Sequence, residues 1–352
     1  MNIIVQKYGG TSVENKEKLK RICNRIIQYK EKNNKMVIVV SAMGKETDHL
    51  IQKAKNYSKE PSKRELDLLL STGELQTVAL LSMMLNERGH KCVGLTGAQA
   101  GILSDSTYGN ATIKSVYTNN ILNYLNEDYI VVVAGFQASD RFGNVTTLGR
   151  GGSDLSAVAI ASALNAKKCE IYSDIDGVFS ADPKIITRAK LLKKISYNEM
   201  LEAASAGAKV LHNRSVHMGK KNSMPIYVKN SGNNSKGTIV TNTSSHKNRG
   251  SFSKEEDFEN YKVKFITKKD DISKISIIGD MVMTNKDTVH KIFDLASKEN
   301  ITIYMITFSE LSLNLIVDKK AITLSLNLSI SLAIKNDTII AVKKEIIKLV
   351  IL

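Results

Sequence analysis

Short apolar runs alternate with longer amphipathic stretches through the first two-thirds of the chain. Residues 2–7 form an apolar run that ends at Gly9 and Gly10. Leu19, Ile22, Cys23, Ile26 and Ile27 then recur at the spacing that lines one face of a helix. Residues 36–40 (MVIVV) are wholly apolar, the pattern of a strand covered on both faces. Comparable runs occupy residues 91–95, 130–134, 169–172 and 225–228. The clearest helical stretches between them cover about 64–87, with Gly73 a candidate break, and 154–164. Strands alternating with helices predict an α/β fold, a largely parallel sheet in a three-layer α/β/α sandwich.

Composition shifts to Ser, Asn, Gly and charge over residues 230–259, with TIV (238–240) as a short strand inside. We expect a first domain over residues 1–240, a linker over 241–262 and a smaller second domain over 263–352. The second domain reads as strand 275–279, helix 286–298, strand 301–307 and strand 311–317. That is most of a ferredoxin-like βαββαβ module. A helix and a strand should follow, but the LSLNL of residues 311–315 recurs at 324–328 instead, before an apolar stretch over 338–352. The second domain is therefore expected to be incomplete. Two domains suit the 352 residues.

Lys and Arg number 50 against 35 Asp and Glu, a formal charge of +15. Such a surplus suggests an anionic partner. Residues 181–270 hold 18 basic and 8 acidic residues, so two-thirds of the surplus sits in a quarter of the chain. The basic stretches lack interleaved aromatics and the chain has no Trp, which argues against a single-stranded nucleic-acid groove. Cys23, Cys92 and Cys169 are widely spaced and odd in number, as reduced, buried thiols would be. With no apolar run of about 18 residues and no signal-like start, a cytoplasmic protein with no membrane partner is expected.

Lys7-Tyr8-Gly9-Gly10 sits where the first predicted strand meets a turn. Glycines there expose N–H groups that can wrap an anion, and a lysine beside them supplies a point charge for phosphate. A tight turn with a solvated lysine is the plain alternative. Gly44-Lys45 does not end a P-loop, because Val39 stands where that motif needs glycine and Glu46 where it needs Ser or Thr. Gly149, Gly151 and Gly152 fail the dinucleotide fingerprint, which would need glycine at Asp154. Residues 148–154 (LGRGGSD) offer instead a glycine-rich turn opening a helix, with Arg150 beside it and Ser153 near the N-cap. This arrangement suits a carboxylate or phosphate, and Asp154 is equally a candidate cap. Glu74 lies inside an apolar helix, and Ser41 and Thr47 follow the second strand, where helix interruption or capping would also explain them. Asp174, Asp176 and Asp182 crowd a loop after a strand, where ligands of α/β sheets bind. The six histidines form no metal-ligand motif.

Six segments, in this order, resemble aspartokinases: residues 7–13 (KYGGTSV), 40–48 (VSAMGKETD), 68–74 (LLLSTGE), 146–157 (TTLGRGGSDLSA), 172–184 (YSDIDGVFSADPK) and 207–212 (GAKVLH). The resemblance implies the amino-acid-kinase (carbamate-kinase-like) fold with a C-terminal ACT region. It also implies ATP-dependent phosphorylation of the β-carboxylate of L-aspartate, the first step toward lysine, threonine and methionine, with Mg2+ carried by ATP. On matching positions it implies that Lys7 holds the transferring phosphoryl group, that the N–H groups of Gly9 and Gly10 line the phosphate path and that Tyr8 belongs to the ATP-binding set. Ser41, Thr47, Glu74, Arg150, Gly151, Gly152 and Ser153 would bind aspartate, with Asp154 orienting the lysines. Ser173, Asp174, Phe179, Asp182, Lys184 and Lys209 would serve the nucleotide.

This sequence has Phe179 where the family usually has Tyr, Lys184 where Arg is usual, and Asn213 where Pro is usual. Gly279 and Asp280 fall at the turn where ACT effectors bind. The shortened end leads us to expect weakened feedback by lysine or threonine, and the resemblance implies a homodimer or higher homo-oligomer. The alternatives are another amino-acid kinase, of the acetylglutamate or glutamate type, and an inactive ACT-containing amino-acid sensor.

Overall fold

The computed structural model describes residues 2–205, 208, 210–242, 266–269, 271–278, 290, 293–294, 296–298, 300–309, 312–319, 339–343 and 348–351. Two compact units divide the chain, one built from residues 1–205 and 209–265 and the other mainly from residues 266–352.

In chain order the first unit contains β1 (Ile3–Tyr8), α1 (Lys16–Lys30), β2 (Lys35–Val40), α2 (Glu46–Tyr57), α3 (Lys63–Glu87), β3 (Cys92–Leu95), β4 (Ile102–Ser104), β5 (Ile113–Val116) and α4 (Asn119–Asn126). It continues with β6 (Ile130–Ala134), β7 (Gln137–Ser139), β8 (Val145–Thr147), α5 (Gly152–Ala163), β9 (Lys168–Ser173), β10 (Lys194–Ser196), α6 (Tyr197–Ser205), α7 (Asn213–Lys221), β11 (Ile226–Asn230) and β12 (Thr238–Thr241). Eight strands form one sheet in the order β10-β12-β11-β9-β1-β2-β6-β3. All its pairings are parallel except β11 with β12.

The apolar runs become central strands because both faces of the sheet are covered. Val37, Ile38, Val39, Val40 and Ile130 to Ala134 are fully buried. One face packs on α1 and α3 through Leu19, Ile22, Ile26, Val78, Leu81 and Leu85. The other carries α5, which lies against β1, β2 and β9. Successive residues of a strand point to opposite faces. Tyr8 accordingly joins the α1/α3 layer, and Lys7 faces α5.

The buried Glu170 of β9 accepts from Gln6 (2.8 Å), Tyr29 (3.1 Å) and Tyr172 (3.2 Å), and from the ammonium groups of Lys168 (2.6 Å) and Lys229 (3.1 Å). These donors hold its carboxyl below the usual range despite burial, which alone would raise it. The hub ties β1, β9 and β11 together.

Three features escaped the apolar pattern. The helix α2 is amphipathic but short. The strands β4, β5, β7 and β8 form a separate sheet in the order β5-β4-β7-β8, and with three or four residues each they are too short to show a period. The third is that α3 runs unbroken through Gly73. A Cβ there would lie 2.9 Å from Ala42 Cβ and 3.4 Å from Leu50 Cδ1. Glycine marks the place where α3 presses on the loop after β2, not a break. By length and composition α3 could cross a membrane, but Leu70, Val78, Leu81 and Leu85 are buried in the fold.

The second unit contains β13 (Ile266–Lys269), β14 (Ile272–Ile278), β15 (Ile303–Ser309), β16 (Ser312–Asp318), β17 (Ile339–Lys343) and β18 (Lys348–Ile351). Four of these strands form an antiparallel sheet in the order β15-β16-β14-β17. That is the ferredoxin-like arrangement, with β17 supplying a fourth strand that the repetitive sequence did not reveal. Along β16, Leu313, Leu315 and Val317 are buried, the period of two expected of a sheet with one covered face. β13 and β18 pair as a separate antiparallel ribbon. Residues 290, 293–294 and 296–298 are helical, within the helix expected at 286–298. Gly279, Asp280 and the repeat at 324–328 lie outside the described residues.

Candidate active site

The C-terminal ends of β9, β1, β2 and β6 lie side by side. The loops leaving them are laced together: Ser41 N–H donates to the Tyr8 carbonyl (3.1 Å), Gly44 N–H to the Gly10 carbonyl (3.1 Å) and Gly135 N–H to the Val40 carbonyl (2.9 Å). At this edge Lys7 Nζ meets Asp154 Oδ1 at 2.6 Å, both side chains being largely enclosed. Asp154 is the third residue of α5 and caps nothing. The N-cap is Gly151, in the left-handed region at φ +69°, and no side chain caps the helix. The carboxylate is used to fix an ammonium group instead.

Glu74 reaches the same loops from α3. Its Oε1 accepts from Ala42 N–H at 3.0 Å, a contact that depends on the close approach at Gly73. Its Oε2 is buried and has no hydrogen-bond partner. Burial pushes the carboxyl up to about 7, opposed by the Ala42 N–H. A buried carboxylate oxygen left unpaired costs free energy that a cationic ligand would recover.

Arg150 is exposed, on a turn whose backbone passes through positive φ at Gly149 (+75°) and Gly151 (+69°). Gly152 and Ser153 are buried in the first turn of α5, and Gly151 is partly so. Ser41 and Thr47 are partly exposed, Thr47 in the first turn of α2.

A model of the amino acid kinase family matches residues 2–230. Aspartokinase 2 of Bacillus subtilis is 44% identical over 306 residues, which is 87% of this chain and 72% of that protein. This chain belongs to the aspartokinase family. An aspartokinase of Geobacillus stearothermophilus is 52% identical over 240 residues, 68% of this chain and 59% of that protein, so the match spans about six-tenths of that relative. The crystal structure of E. coli aspartokinase III with lysine and aspartate superposes with a TM-score of 0.78 at 23% identity, covering 97% of this chain and 85% of that one, a likeness of fold.

Two positions near β1 make contacts within the fold itself. The Tyr8 side chain is fully buried on the sheet face opposite Lys7, donates to Gln6 (3.0 Å) and stacks on Tyr172 with ring centroids 4.9 Å apart. It braces the strand from the face that packs on α1 and α3. Gly9 N–H is already donated to the Tyr172 carbonyl at 3.1 Å. Of the residues expected to serve the nucleotide, Ser173 ends β9 and Phe179 bridges to Leu191. Asp174, Asp182 and Lys184 are exposed, and the Asp182 carboxylate turns back onto Lys184 N–H at 2.9 Å. Lys209 lies outside the described residues.

Two polar residues that hold the loop before α5 were not singled out from the sequence. Asp67, 1% exposed, accepts from Thr147 N–H (2.7 Å), Thr147 Oγ1 (2.7 Å) and Gly109 N–H (2.9 Å). Arg214 donates to the carbonyls of Leu148 and Ala111 and to Asn110 Oδ1. The available signals were an aspartate within an apolar helix and an arginine in the first turn of α7, where the dipole disfavours a cation.

Proposed function

We propose that the chain is an aspartate kinase, transferring the γ-phosphoryl group of ATP to the β-carboxylate of L-aspartate to give 4-phospho-L-aspartate and ADP. The observation that carries this reading is the buried, half-satisfied Glu74 carboxylate. It offers a fixed anionic oxygen to the α-ammonium group, the feature that separates an amino acid from other carboxylate acceptors. The aspartokinase relatives support it. Arg150 would take a carboxylate of aspartate as a bidentate fork. Ser41, Thr47 and the Gly151–Ser153 turn would complete the pocket.

Phosphoryl transfer between oxygens needs positioning and charge neutralisation more than covalent help. Lys7 would stay on the transferring group through the transition state, with Asp154 fixing its ammonium. Among the described residues no three His, Cys, Asp or Glu side chains converge as a metal cage. Mg2+ would be held by the nucleotide phosphates, where it offsets their charge. Ser173, Asp174, Phe179, Lys184 and Lys209 would contact the nucleotide. Lysine and threonine are the candidate effectors of the second unit, in a cytoplasmic homo-oligomer.

ADP release measured with aspartate, glutamate and acetylglutamate, each with and without lysine and threonine, tests the reading. Turnover with aspartate alone is expected. ADP release that does not depend on aspartate would overturn it.

A further inference from the structure

Arg150 makes no hydrogen bond or ion pair among the described residues, so its aim depends on the backbone that carries it. Within the turn that backbone is closed by one hydrogen bond, Gly152 N–H to the Gly149 carbonyl at 2.9 Å. Gly149 and Gly151 both sit at positive φ, and glycine loses the most conformational freedom on being fixed. The turn must be held from outside.

The contacts that hold it are long-range. Thr147 N–H and Oγ1 are both taken by Asp67 of α3. The Thr147 carbonyl accepts from Ala111 N–H at 2.8 Å, and Leu148 N–H donates to the Phe136 carbonyl at 2.8 Å. The Leu148 carbonyl, the last backbone group before Gly149, accepts from Arg214 Nη1. The same nitrogen reaches Asn110 Oδ1 at 3.0 Å, and Nη2 reaches the Ala111 carbonyl at 2.6 Å. Arg214 is partly buried, and burial lowers its pKa, opposed by the charge of Asp105, with which it forms no ion pair. An arginine spending its fork on two backbone carbonyls and an amide oxygen serves geometry, not charge pairing.

We infer that Arg214, together with Asp67, is a positioning residue that sets the Arg150 turn for the acceptor carboxylate. This rests on the aspartate-kinase reading above. Arg214 touches neither substrate and acts through Leu148 and the turn. Lysine cannot replace it, because a single ammonium cannot span the Leu148 and Ala111 carbonyls with fixed planarity.

The test uses the full chain carrying Arg214→Ala, Arg214→Lys, Arg150→Ala and the Arg150→Ala/Arg214→Ala double substitution. Steady-state kinetics are combined with amide hydrogen exchange of residues 147–152. We expect Arg214→Ala to raise KM for aspartate about tenfold with KM for ATP within twofold, and Arg214→Lys to recover only part. In the double variant the two losses should not add, because a residue acting through Arg150 has nothing left to aim. Exchange at 149–152 should speed up in Arg214→Ala while β1 and β6 stay protected. Additive losses, equal rises in both KM values or unchanged exchange would each overturn the inference. If the wild-type chain shows no aspartate-dependent turnover, the functional reading fails, and exchange still decides whether Arg214 holds the turn.

Discussion

Two loops approach the sheet edge that carries Lys7, one running from β8 of the small sheet into α5 and one leaving β9 of the central sheet, and they are held in different ways. The turn from Thr147 to Asp154 is gripped by side chains 80 and 66 residues distant in sequence, Asp67 and Arg214, and every backbone polar group of Thr147 and Leu148 has a partner. The stretch from Ser173 to Leu192 is exposed over residues 182–188 and is held at its base by β11 and the segment after it: Ser231 N–H donates to the Ser173 carbonyl (2.8 Å), and Asn230 and Asn233 donate to the Asp176 carboxylate, each at 2.8 Å. Toward its tip the contacts are local, Asp182 accepting from Lys184 N–H and Ser180 Oγ from Lys190 N–H, with Thr238 bridging Val178 and Leu192. A small amino acid offers few contacts, so its affinity depends on groups fixed before it arrives. A nucleotide brings enough surface to order a loop and still bind.

The contrast breaks most sharply at Lys7, which stands between the two sides. Lys7→Ala should lower kcat by roughly 10²–10³, the usual loss on removing a preorganised charge from a developing anion, with KM for aspartate little changed. Single-turnover ADP formation checks this. A normal kcat would mean that phosphoryl charge is neutralised elsewhere.

Glu74 sharpens the acceptor side through pH. Its folded pKa, near 7, stands above the ordinary 4.5, so between those values the folded chain holds a proton that the unfolded chain has lost. Stability from this group is therefore full below about 4.5 and is lost as pH rises to about 7, a change on the order of 3 kcal/mol. Urea denaturation should show that fall in the wild type relative to Glu74→Gln, whose amide does not titrate. The same variant should raise KM for aspartate by about 30-fold or more, since removal of a buried charge partner costs about 2–5 kcal/mol. Wild-type KM should fall as pH rises through 7, and the Gln variant should stay flat.

Residues of the candidate site were singled out in sequence where chemistry and pattern coincide. Lys7 before two glycines, Glu74 inside an apolar helix and Arg150 in a glycine turn each break the local rule. What was not legible depends on distance. Nothing near Thr147 shows that Asp67 will hold it, and nothing near Tyr8 shows that its ring faces away from Lys7 except the pleat of a strand whose register is fixed by β2 and β9. The four-stranded sheet of the second unit shows the same limit. Its first three alternate visibly, but β17 is identified only by pairing with β14, across a segment whose repeats mask the count.

Gly73 tests how tightly the acceptor side is packed. Alanine would gain about 1 kcal/mol of helix propensity but place a methyl 2.9 Å from Ala42 Cβ, and overpacking of this kind costs about 1–3 kcal/mol. A net loss of about 1 kcal/mol in urea denaturation is expected. A severalfold rise in KM for aspartate should accompany it, as the Ala42 N–H moves off Glu74. Stabilisation without a kinetic change would show that the approach is loose.

Asp182 should give the smallest effect and for that reason separates the two loops best. Like Asp67 it accepts backbone N–H groups, but it accepts one, from Lys184, at an exposed position where water replaces a lost partner at little cost. Asp182→Ala should leave stability within about 0.5 kcal/mol, as surface substitutions usually do. KM for ATP should change less than threefold and KM for aspartate not at all. A large rise in KM for ATP would mean that the carboxylate leaves Lys184 to meet the nucleotide, and that the exposed loop is organised by its ligand more strictly than its local hydrogen bonds imply.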